Sequence, residues 1–407
     1  VTSDVRRILG AQGIRAAAYG FGSVLLGASL ESQGRSPAQV GLLLTAIVAG
    51  SALMSLVVGT YGDRVGRRRF YAFLFLGMAA AGAAFGLSDY FWLLATVGLT
   101  GTLSTEVVES GPFTSLELPM LSAELTGRAR ARIFGIYNAL ATLVGSFGAL
   151  AAGGPALLRQ VWPGAPADQR WFLIFVPLGL LGAVAAWSLS GRVEESGTQG
   201  GRGMPLGRSK GRVVGLSGLF ALDSLGGGFV VQSFIAYWIS LRFGTSLELL
   251  GTIFFTVGLL QAASFLVATR LAERIGLLNT MVFTHLPSNL LLAAIPLAPS
   301  LPWAVTLLLG RFALSQMDVP TRQAYVMALV DPEERTAAAA YTNTARYLVR
   351  PLGPAAAGLA QQLALGMPFF LAGGLKAVYD LALWAWFRPV PLAEVEVANV
   401  AREEAGP

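Results

Sequence analysis

The most regular feature of the sequence is a succession of long apolar runs, separated by short segments of glycine, proline and charged residues. Most runs are about 20 residues long, which is the length that an α-helix needs to cross the hydrocarbon of a bilayer. A helix suits this environment because it satisfies its backbone amides within the segment. The pattern predicts twelve membrane-spanning helices, at roughly 10–30, 38–60, 70–88, 91–112, 131–153, 171–190, 213–239, 247–268, 277–297, 301–322, 336–359 and 367–387.

The amino-acid composition excludes an ordinary soluble protein. Of the 407 residues, 54% are hydrophobic and only 13% are charged, whereas soluble domains have about 25% charged residues. The chain has no cysteine and one histidine, His285, which excludes disulfides, thiolate or histidine metal clusters and cysteine nucleophiles. We expect no cofactor and no metal. The sequence also lacks a nucleophile with a base and a phosphate-binding loop, which argues against an enzyme.

The net charge of +6 comes from basic residues in short loops between predicted spans, and not from a soluble face that would bind nucleic acid. Most of these bases lie on the side of both termini, Arg64, Arg67, Arg68 and Arg69 among them. Loops rich in arginine and lysine stay in the cytoplasm, so both termini are predicted to be cytoplasmic. The first helix lacks a cleavage site, and we interpret it as a retained span of a multi-pass inner-membrane protein.

One polar stretch in the middle of the chain divides the predicted spans into two groups of six. Residues 191–212 are rich in glycine, serine and basic residues, as flexible linkers are. The sequence therefore predicts an N-terminal six-helix half at 1–190, a cytoplasmic linker at 191–212, a C-terminal six-helix half at 213–390 and a cytoplasmic tail at 391–407.

Weak self-similarity relates the two predicted halves. Residues 36–41 have a counterpart in residues 246–251, and residues 63–66 have one in residues 273–276, both at a shift of about 210. Each match is weak alone, but the matches keep their order and spacing. They indicate a duplicated unit whose copies are related by an axis along the membrane normal.

The segment between the second and third predicted spans carries a specific motif, in which Gly59 is followed by Asp63 and Arg64, then by Gly66, and then by Arg68 and Arg69. Glycines permit a tight turn there, and arginines lie favourably among anionic headgroups. This motif resembles the signature loop of the major facilitator superfamily. The resemblance implies an all-α membrane protein with twelve transmembrane helices in two six-helix pseudo-symmetric halves (the MFS fold) that works by alternating access. In that family the loop is a conformational latch, a role that the resemblance implies for Gly59, Asp63, Arg64, Gly66, Arg68 and Arg69.

Ionisable residues inside the predicted spans are the candidates for binding and coupling. Each costs about 2.5–3.5 kcal/mol to insert unless it faces a cavity or a partner. The resemblance implies that spans one, four, seven and ten line a central cavity. Their charged residues are the candidates for contact with substrate or protons: Arg15, Glu106, Glu109, Asp223, Arg311 and Asp318.

Two of these candidates, Glu106 and Glu109, are three residues apart, a spacing that places both carboxylates on one face of a helix. Two like charges in a low dielectric do not both ionise easily, so one of them is a candidate proton carrier. The alternative is that each carboxylate forms an ion pair with Arg15 or Arg311 that stabilises the helices.

Three other ionisable residues have structural interpretations. Glu117 and Arg322 lie near the cytoplasmic ends of their predicted spans, where a long side chain reaches the membrane surface at low cost. His285, in span nine, is expected to pack against neighbouring helices.

A partial motif in span five bears on the direction of transport. Gly145, Gly153 and Gly154 match a glycine and proline pattern associated with antiporters, but Ala149 and Leu150 stand where glycine and proline belong. The sequence favours a secondary transporter for proton-coupled efflux of a small organic solute, with proton-coupled uptake of a polar metabolite or a membrane sensor without cargo as alternatives. We expect a monomer whose partners are the solute, protons and the lipid bilayer.

Overall fold

The computed structural model describes residues 3–104, 106–107, 111–123, 127–166, 168–194, 206–207, 209–331 and 334–390. Within these ranges the chain is helical and has no strand, so the predicted all-α fold is confirmed. In chain order the helices are α1 (Ser3–Ser32), α2 (Pro37–Val65), α3 (Arg67–Leu87), α4 (Phe91–Gly98), α5 (Pro112–Ala123), α6 (Gly127–Ala151), α7 (Gly154–Val161), α8 (Phe175–Trp187), α9 (Lys210–Phe229), α10 (Gln232–Phe243), α11 (Leu247–Ile275), α12 (Leu277–Ala294), α13 (Leu301–Ser315), α14 (Asp318–Leu329), α15 (Arg335–Val349), α16 (Leu352–Leu363) and α17 (Met367–Phe387).

Each predicted span overlaps one helix or two consecutive helices. Spans four, seven, ten and eleven are each divided in two, as α4 and α5, α9 and α10, α13 and α14, and α15 and α16. Within the described residues, seven helical segments are long and apolar enough to cross a membrane. The number of twelve crossings stays a prediction.

The repeat that the sequence indicates is visible in a pair of helices of equal length. α2 and α11 each contain 29 residues, and each ends before a glycine with positive φ, 96° at Gly66 and 84° at Gly276. Glycine adopts this conformation at no steric cost. Ser36 and Gln39 form a capping box at the start of α2, and the Ser246 hydroxyl accepts a bond from the backbone at the start of α11.

Span four differs from its prediction as one continuous helix. α4 ends at Gly98 and α5 begins at Pro112, and the described residues between them are not helical. Gly101 has a positive φ of 70°, a conformation that does not occur within an α-helix. Glu106 lies in this non-helical segment, so the argument that it shares a helix face with Glu109 is wrong. Glu109 itself lies outside the described residues.

Backbone contacts divide the chain into two compact units. Unit 1 comprises Val1–Gln199, Val230–Ala262 and Pro354–Leu365, and unit 2 comprises Gly200–Phe229, Ala263–Gly353 and Gly366–Pro407. Unit 1 thus contains the first six predicted spans with α10, the first half of α11 and most of α16. The predicted linker falls partly outside the described residues, and the division into halves at 190 and 213 stays a prediction.

Each unit has an apolar core that positions the buried polar residues of that unit. In unit 1, the rings of Tyr71, Phe75 and Phe113 pack edge to face, with centroids 5.0–6.1 Å apart. In unit 2, α9, α12, α14 and α17 supply the buried apolar side chains, which include Phe220 and Leu383. The same four helices also carry buried charged groups.

Candidate functional site

A buried ion pair in unit 1 joins α1 to α5. Nη2 of Arg15 lies 2.8 Å from Oε2 of Glu117, and both side chains are fully buried. Tyr71 on α3 donates to Oε1 of Glu117 at 2.6 Å, and Tyr137 on α6 donates to Oε2. We call Arg15, Glu117, Tyr71 and Tyr137 the Arg15 cluster.

The two tyrosines explain how this ion pair is maintained in a low-dielectric interior. A buried carboxylate is tolerated when its oxygens accept from enough donors, and Glu117 accepts from one guanidinium and two hydroxyls. The Arg15 guanidinium also lies over the Phe113 ring, 5.3 Å from its centroid. The prediction that Glu117 extends to the membrane surface is wrong, because its partners are internal.

We expect Glu117→Gln to lower the free energy of unfolding by about 3–5 kcal/mol, because the Arg15 guanidinium is left buried without a counter-charge. Thermal unfolding of the purified protein in detergent measures the loss. Arg170→Gln is the matched control, since the Arg170–Asp168 pair is exposed and such pairs contribute about 0–1 kcal/mol. Equal losses in the two variants would contradict the interpretation of Glu117 as the essential partner of Arg15.

Four helices of unit 2 bring charged residues together around Asp223 on α9. Nζ of Lys376 on α17 lies 2.5 Å from Oδ1 of Asp223. Nη1 of Arg322 on α14 lies 3.5 Å from Oδ2 of Asp223 and 2.9 Å from Oδ2 of Asp318. Nε2 of His285 on α12 lies 3.8 Å from Oδ1 of Asp223. The prediction that Arg322 reaches the membrane surface is wrong, since its charge is directed at these internal acids.

His285 connects Asp223 to a second carboxylate. Its Nδ1 lies 2.8 Å from Oδ1 of Asp380 on α17, and Asn289, one turn later on α12, donates to Oδ2 of Asp380 at 2.8 Å. The histidine thus makes polar contacts with two acids, whereas the sequence predicted simple packing. The Asp223 cluster, as named from here on, consists of the buried residues Asp223, His285, Asp318, Arg322, Lys376 and Asp380.

The Asp223 cluster brings together three carboxylates, two basic side chains and one imidazole. In the part of the chain that the structure describes, no group of three or more histidine, aspartate and glutamate side chains could hold a metal ion. His285, the only histidine of the sequence, contacts two of the three carboxylates.

Arg311 on α13 lies in unit 2 but outside these contacts. Its side chain is 7% exposed, and its guanidinium lies over the Phe312 ring, 4.4 Å from the centroid. The charge of Asp223 acts on it through space. Its Nε and Nη1, and the hydroxyl of Ser315 one turn later, have no hydrogen-bond partner within the described ranges.

The structure describes five of the six predicted site residues and places them in separate groups. Unit 1 contains Arg15 and Glu106, and unit 2 contains Asp223, Arg311 and Asp318. Arg15, Asp223 and Asp318 belong to the two clusters, and Glu106 lies between α4 and α5. Glu109 is outside the described residues, so its role as a candidate proton carrier stays a prediction.

Seven residues of the clusters were not among the predicted site residues: Tyr71, Glu117, Tyr137, Arg322, His285, Lys376 and Asp380. The rule that spans one, four, seven and ten line the cavity excluded the last three, which lie on α12 and α17. A signal was nonetheless present in the sequence. Lys376 and Asp380 are four residues apart in an apolar run, so both lie on one helix face that must find polar partners inside the protein.

The predicted latch loop forms the turn between α2 and α3. Gly66 occupies this turn with a φ of 96°. The Glu194 carboxylate accepts from the backbone N–H of Arg67 at 2.7 Å and of Arg68 at 3.1 Å. An anionic group at this position satisfies the first free N–H groups of α3 and complements its dipole. The turn is therefore held by Glu194, which belongs to the first residues of the predicted linker.

The remaining motif residues have fewer described contacts. A Cβ on Gly59 would meet no atom within 4 Å, the Arg64 guanidinium lies 5.8 Å from the Tyr61 ring centroid, and Arg69 is exposed. The side chain of Asp63 lies outside the described part of the chain. The latch role of the motif stays a prediction.

A close crossing of α2 and α16 within unit 1 requires glycine on both helices. A Cβ on Gly41 would lie 2.5 Å from the carbonyl oxygen of Pro354, and a Cβ on Gly358 would lie 2.3 Å from that of Pro37. Any larger residue at either position has to separate the two backbones. Small residues permit such direct contact between helices in membranes.

Two further crossings in unit 1 follow the same principle. A Cβ on Gly251 of α11 would lie 2.7 Å from the carbonyl oxygen of Ala149 on α6, and a Cβ on Gly27 of α1 would lie 2.4 Å from that of Ser233 on α10. Gly251 is the counterpart of Gly41 in the sequence repeat, so both copies use this glycine for a backbone contact. We refer to Gly27, Gly41, Gly251 and Gly358 as the glycine contacts.

Comparison with known proteins gives consistent matches over most of the chain. The family model described as Major Facilitator Superfamily matches residues 8–354. The uncharacterized membrane protein YJR124C of Saccharomyces cerevisiae (strain ATCC 204508 / S288c) is 26% identical over 420 residues, which cover 94% of either chain.

Solved structures of transporters have a similar fold. A bacterial homologue of the human lysosomal transporter Spinster, inward-facing and occupied, has a TM-score of 0.75 at 16% identity and covers 95% of this chain and 96% of its own. The nucleoside transporter NupG has a TM-score of 0.74 at 13% identity, with 95% and 99% covered. A D-xylose-proton symporter has a TM-score of 0.70 at 16% identity, with 96% and 99% covered.

Proposed function

Because the chain belongs to the Major Facilitator Superfamily, we propose that it is a proton-coupled secondary transporter that moves a small organic solute by alternating access. The proposed direction is export across a cytoplasmic membrane, with both termini in the cytoplasm. A monomer suffices for this proposal, because each charge cluster is formed within a single chain.

The position of His285 between two carboxylates is the observation that supports proton coupling. Imidazole gains or loses a proton near neutral pH, and His285 lies 2.8 Å from Asp380 and 3.8 Å from Asp223. A proton on His285 turns both contacts into ion pairs, and its loss leaves Asp223 with its contacts to Lys376 and Arg322. Protonation therefore changes the attraction of α12 to α9 and α17, which is how a proton biases one conformation over another.

The glycine contacts supply an element that can open and close. They join α1, α2 and α6 of the first six predicted spans to α10, α11 and α16 of the last six. Backbones that touch directly can separate without moving long side chains out of the contact. We propose that these contacts close the end of the transport pathway that is remote from the termini.

Uptake is the second candidate direction, because the packing of α6 gives a structural reason for glycines that the antiporter motif would otherwise assign to export. A Cβ on Gly148 would lie 2.2 Å from the carbonyl oxygen of Ala17, and a Cβ on Gly20 would lie 1.9 Å from that of Gly145. Close packing of α6 against α1 is thus a sufficient reason for Gly145 and Gly148 of span five. This reason applies equally to export and uptake, which weakens the antiporter motif as support for export.

We expect His285→Gln to reduce solute movement driven by a pH gradient at least about tenfold, because glutamine keeps a hydrogen bond to Asp380 but cannot carry a proton at neutral pH. Counterflow of labelled solute, which requires no net proton movement, should stay near the wild-type rate. Both are measured in proteoliposomes with a panel of labelled organic cations, anions and neutral metabolites. Thr280→Val, a buried polar residue of α12 outside the cluster, is the matched control.

The same experiment separates coupling from direction. Equal loss of counterflow and gradient-driven movement in His285→Gln would contradict a role restricted to proton coupling. Solute that moves against the direction of the proton gradient supports export, and solute that moves with the protons supports uptake.

A further inference from the structure

Span ten in unit 2 is interrupted, and donors without acceptors lie just before the interruption. α13 ends at Ser315 and α14 begins at Asp318. Arg311 and Ser315 are four residues apart near the end of α13, so their side chains share one face of the helix. Nε and Nη1 of Arg311 and Oγ of Ser315 are buried and without a hydrogen-bond partner among the described residues.

This arrangement is unusual for a protein interior. Buried polar atoms are paired in the large majority of cases, and a buried charge without a partner is the most costly exception. Arg311 is 7% exposed, so solvent at the protein surface does not satisfy it. The aromatic face of Phe312, 4.4 Å from the guanidinium, attracts the cation but accepts no conventional hydrogen bond.

The three acids of the Asp223 cluster each contact another basic side chain. Asp223 contacts Lys376 at 2.5 Å, Asp318 contacts Arg322 at 2.9 Å, and Asp380 contacts His285 at 2.8 Å. Asp223 acts on Arg311 only through space. Among the residues that the structure describes, no acid therefore contacts the buried positive charge of Arg311.

We propose that Arg311 and Ser315 bind the carboxylate of a monoanionic organic solute, which is the cargo of the transporter. This inference rests on the proposed transport function. Nε and Nη1 of Arg311 can each donate a charge-assisted hydrogen bond to a carboxylate, and the hydroxyl of Ser315 supplies a further donor one turn away. The site lies beside a break in a span, the kind of position where transporter folds bind ligands and coupling ions.

The charge of the site selects among anions. One guanidinium without a second free base balances one negative charge, so a carboxylate fits better than a phosphate dianion. Ordered water is the alternative occupant, because it can pair with buried donors. Water would satisfy the hydrogen bonds but would leave the positive charge of Arg311 unbalanced.

The test compares carboxylates with their neutral amides as ligands of the full-length protein. Acetate, lactate and benzoate are titrated against acetamide, lactamide and benzamide, and binding is followed by the rise in thermal stability and by calorimetry. We expect at least one carboxylate to bind and its amide to bind at least about tenfold more weakly, because a charge-assisted hydrogen bond is lost.

Substitutions of Arg311 and Ser315 test whether the carboxylates bind at this site. Arg311→Gln should weaken carboxylate binding at least about tenfold, and Arg311→Lys should weaken it less, since lysine keeps the charge but loses the planar pair of donors. Ser315→Ala should weaken it a few-fold. Arg242→Gln removes an exposed charge and is the matched control, for which we expect no change. If Arg311→Gln does not fold, the graded effects of Arg311→Lys and Ser315→Ala decide the question.

Three results would overturn the inference: amides that bind as well as carboxylates, carboxylates that bind Arg311→Gln as well as wild type, or no binding of any carboxylate to wild type, as expected if water occupies the site. Counterflow of the neutral and cationic solutes in the same preparation keeps the proposed function separate. If such a solute moves while the carboxylates do not bind, the protein is a transporter and the carboxylate inference is wrong.

Discussion

Replacement of Asp223 by alanine is expected to abolish proton-driven transport and to lower the free energy of unfolding by about 3–5 kcal/mol. The aspartate lies 2.5 Å from Lys376 and 3.5 Å from Arg322, and all three side chains are buried. Its removal leaves Lys376 without the carboxylate that it contacts in the described structure, and Arg322 with Asp318 as its acid. His285 loses one of its two acids as well.

A double variant that lacks both charges tests whether the loss of stability comes from leaving Lys376 without its acid. Asp223→Leu combined with Lys376→Met removes both charges, so it should recover most of the stability that Asp223→Ala loses. It should not recover proton-driven transport, because His285 still lacks its second carboxylate. Thermal unfolding and pH-driven flux in proteoliposomes measure the two properties. A double variant that is as unstable as Asp223→Ala would contradict the pairing of these residues.

Gly41→Trp is expected to reduce net transport at least about 100-fold, because a bulky side chain excludes the closed state that turnover requires. Even a Cβ at this position would lie 2.5 Å from the carbonyl oxygen of Pro354, and an indole ring cannot be accommodated without separating α2 from α16. The variant should hold the proposed closed end open, and its helices should still fold.

The opening can be observed directly because the natural chain has no cysteine. Ser240 is buried and lies on the face of α10 that contacts Gly27, seven residues after Ser233. With Ser240→Cys as the only thiol, a membrane-impermeant maleimide added outside should react slowly, and at least about tenfold faster when Gly41→Trp is present. Gly374→Trp, where a Cβ would meet no atom, is the control. Equal rates in all three backgrounds would contradict the proposed closed end.

The sequence predicted the fold well because the membrane imposes strong local constraints. A crossing helix needs a continuous apolar run, and each predicted span overlaps helical structure. The repeat between the two predicted halves could also be recognised, from residues at the ends of two helices. Ser36 and Ser246 begin α2 and α11, and Gly66 and Gly276 follow their ends with positive φ. Such caps are set by the backbone itself, so a few residues suffice to reveal them.

The interruption of span four could not be predicted from hydropathy. A run of apolar and small residues is compatible with a continuous helix, and the positive φ of Gly101 and Gly111 depends on the helices around them. A Cβ on Gly101 would lie 2.3 Å from the carbonyl oxygen of Gly50 on α2. The shape of this segment is therefore determined by tertiary packing, which also displaced Glu106 from the helix face predicted for it.

Local sequence patterns likewise could not identify the partners of the buried charges. Arg15 and Glu117 are 102 residues apart, and Asp223 and Lys376 are 153 apart. The sequence identified residues that are costly to bury, but it could not say which acid meets which base. For the same reason the sequence did not reveal the role of Glu194. Its carboxylate accepts from the first N–H groups of α3, although three predicted spans separate it from α3 in the sequence.

The most direct measurement of proton-coupled transport is the pH inside proteoliposomes that contain a trapped fluorescent pH indicator, recorded when a solute of the panel is added outside. If transport is coupled to protons through His285, a transported solute changes the internal pH in wild type. His285→Gln then moves the solute by counterflow without a change of internal pH. Solute movement in wild type with no change of internal pH, under conditions where the indicator responds to an added ionophore, would contradict the proposed coupling.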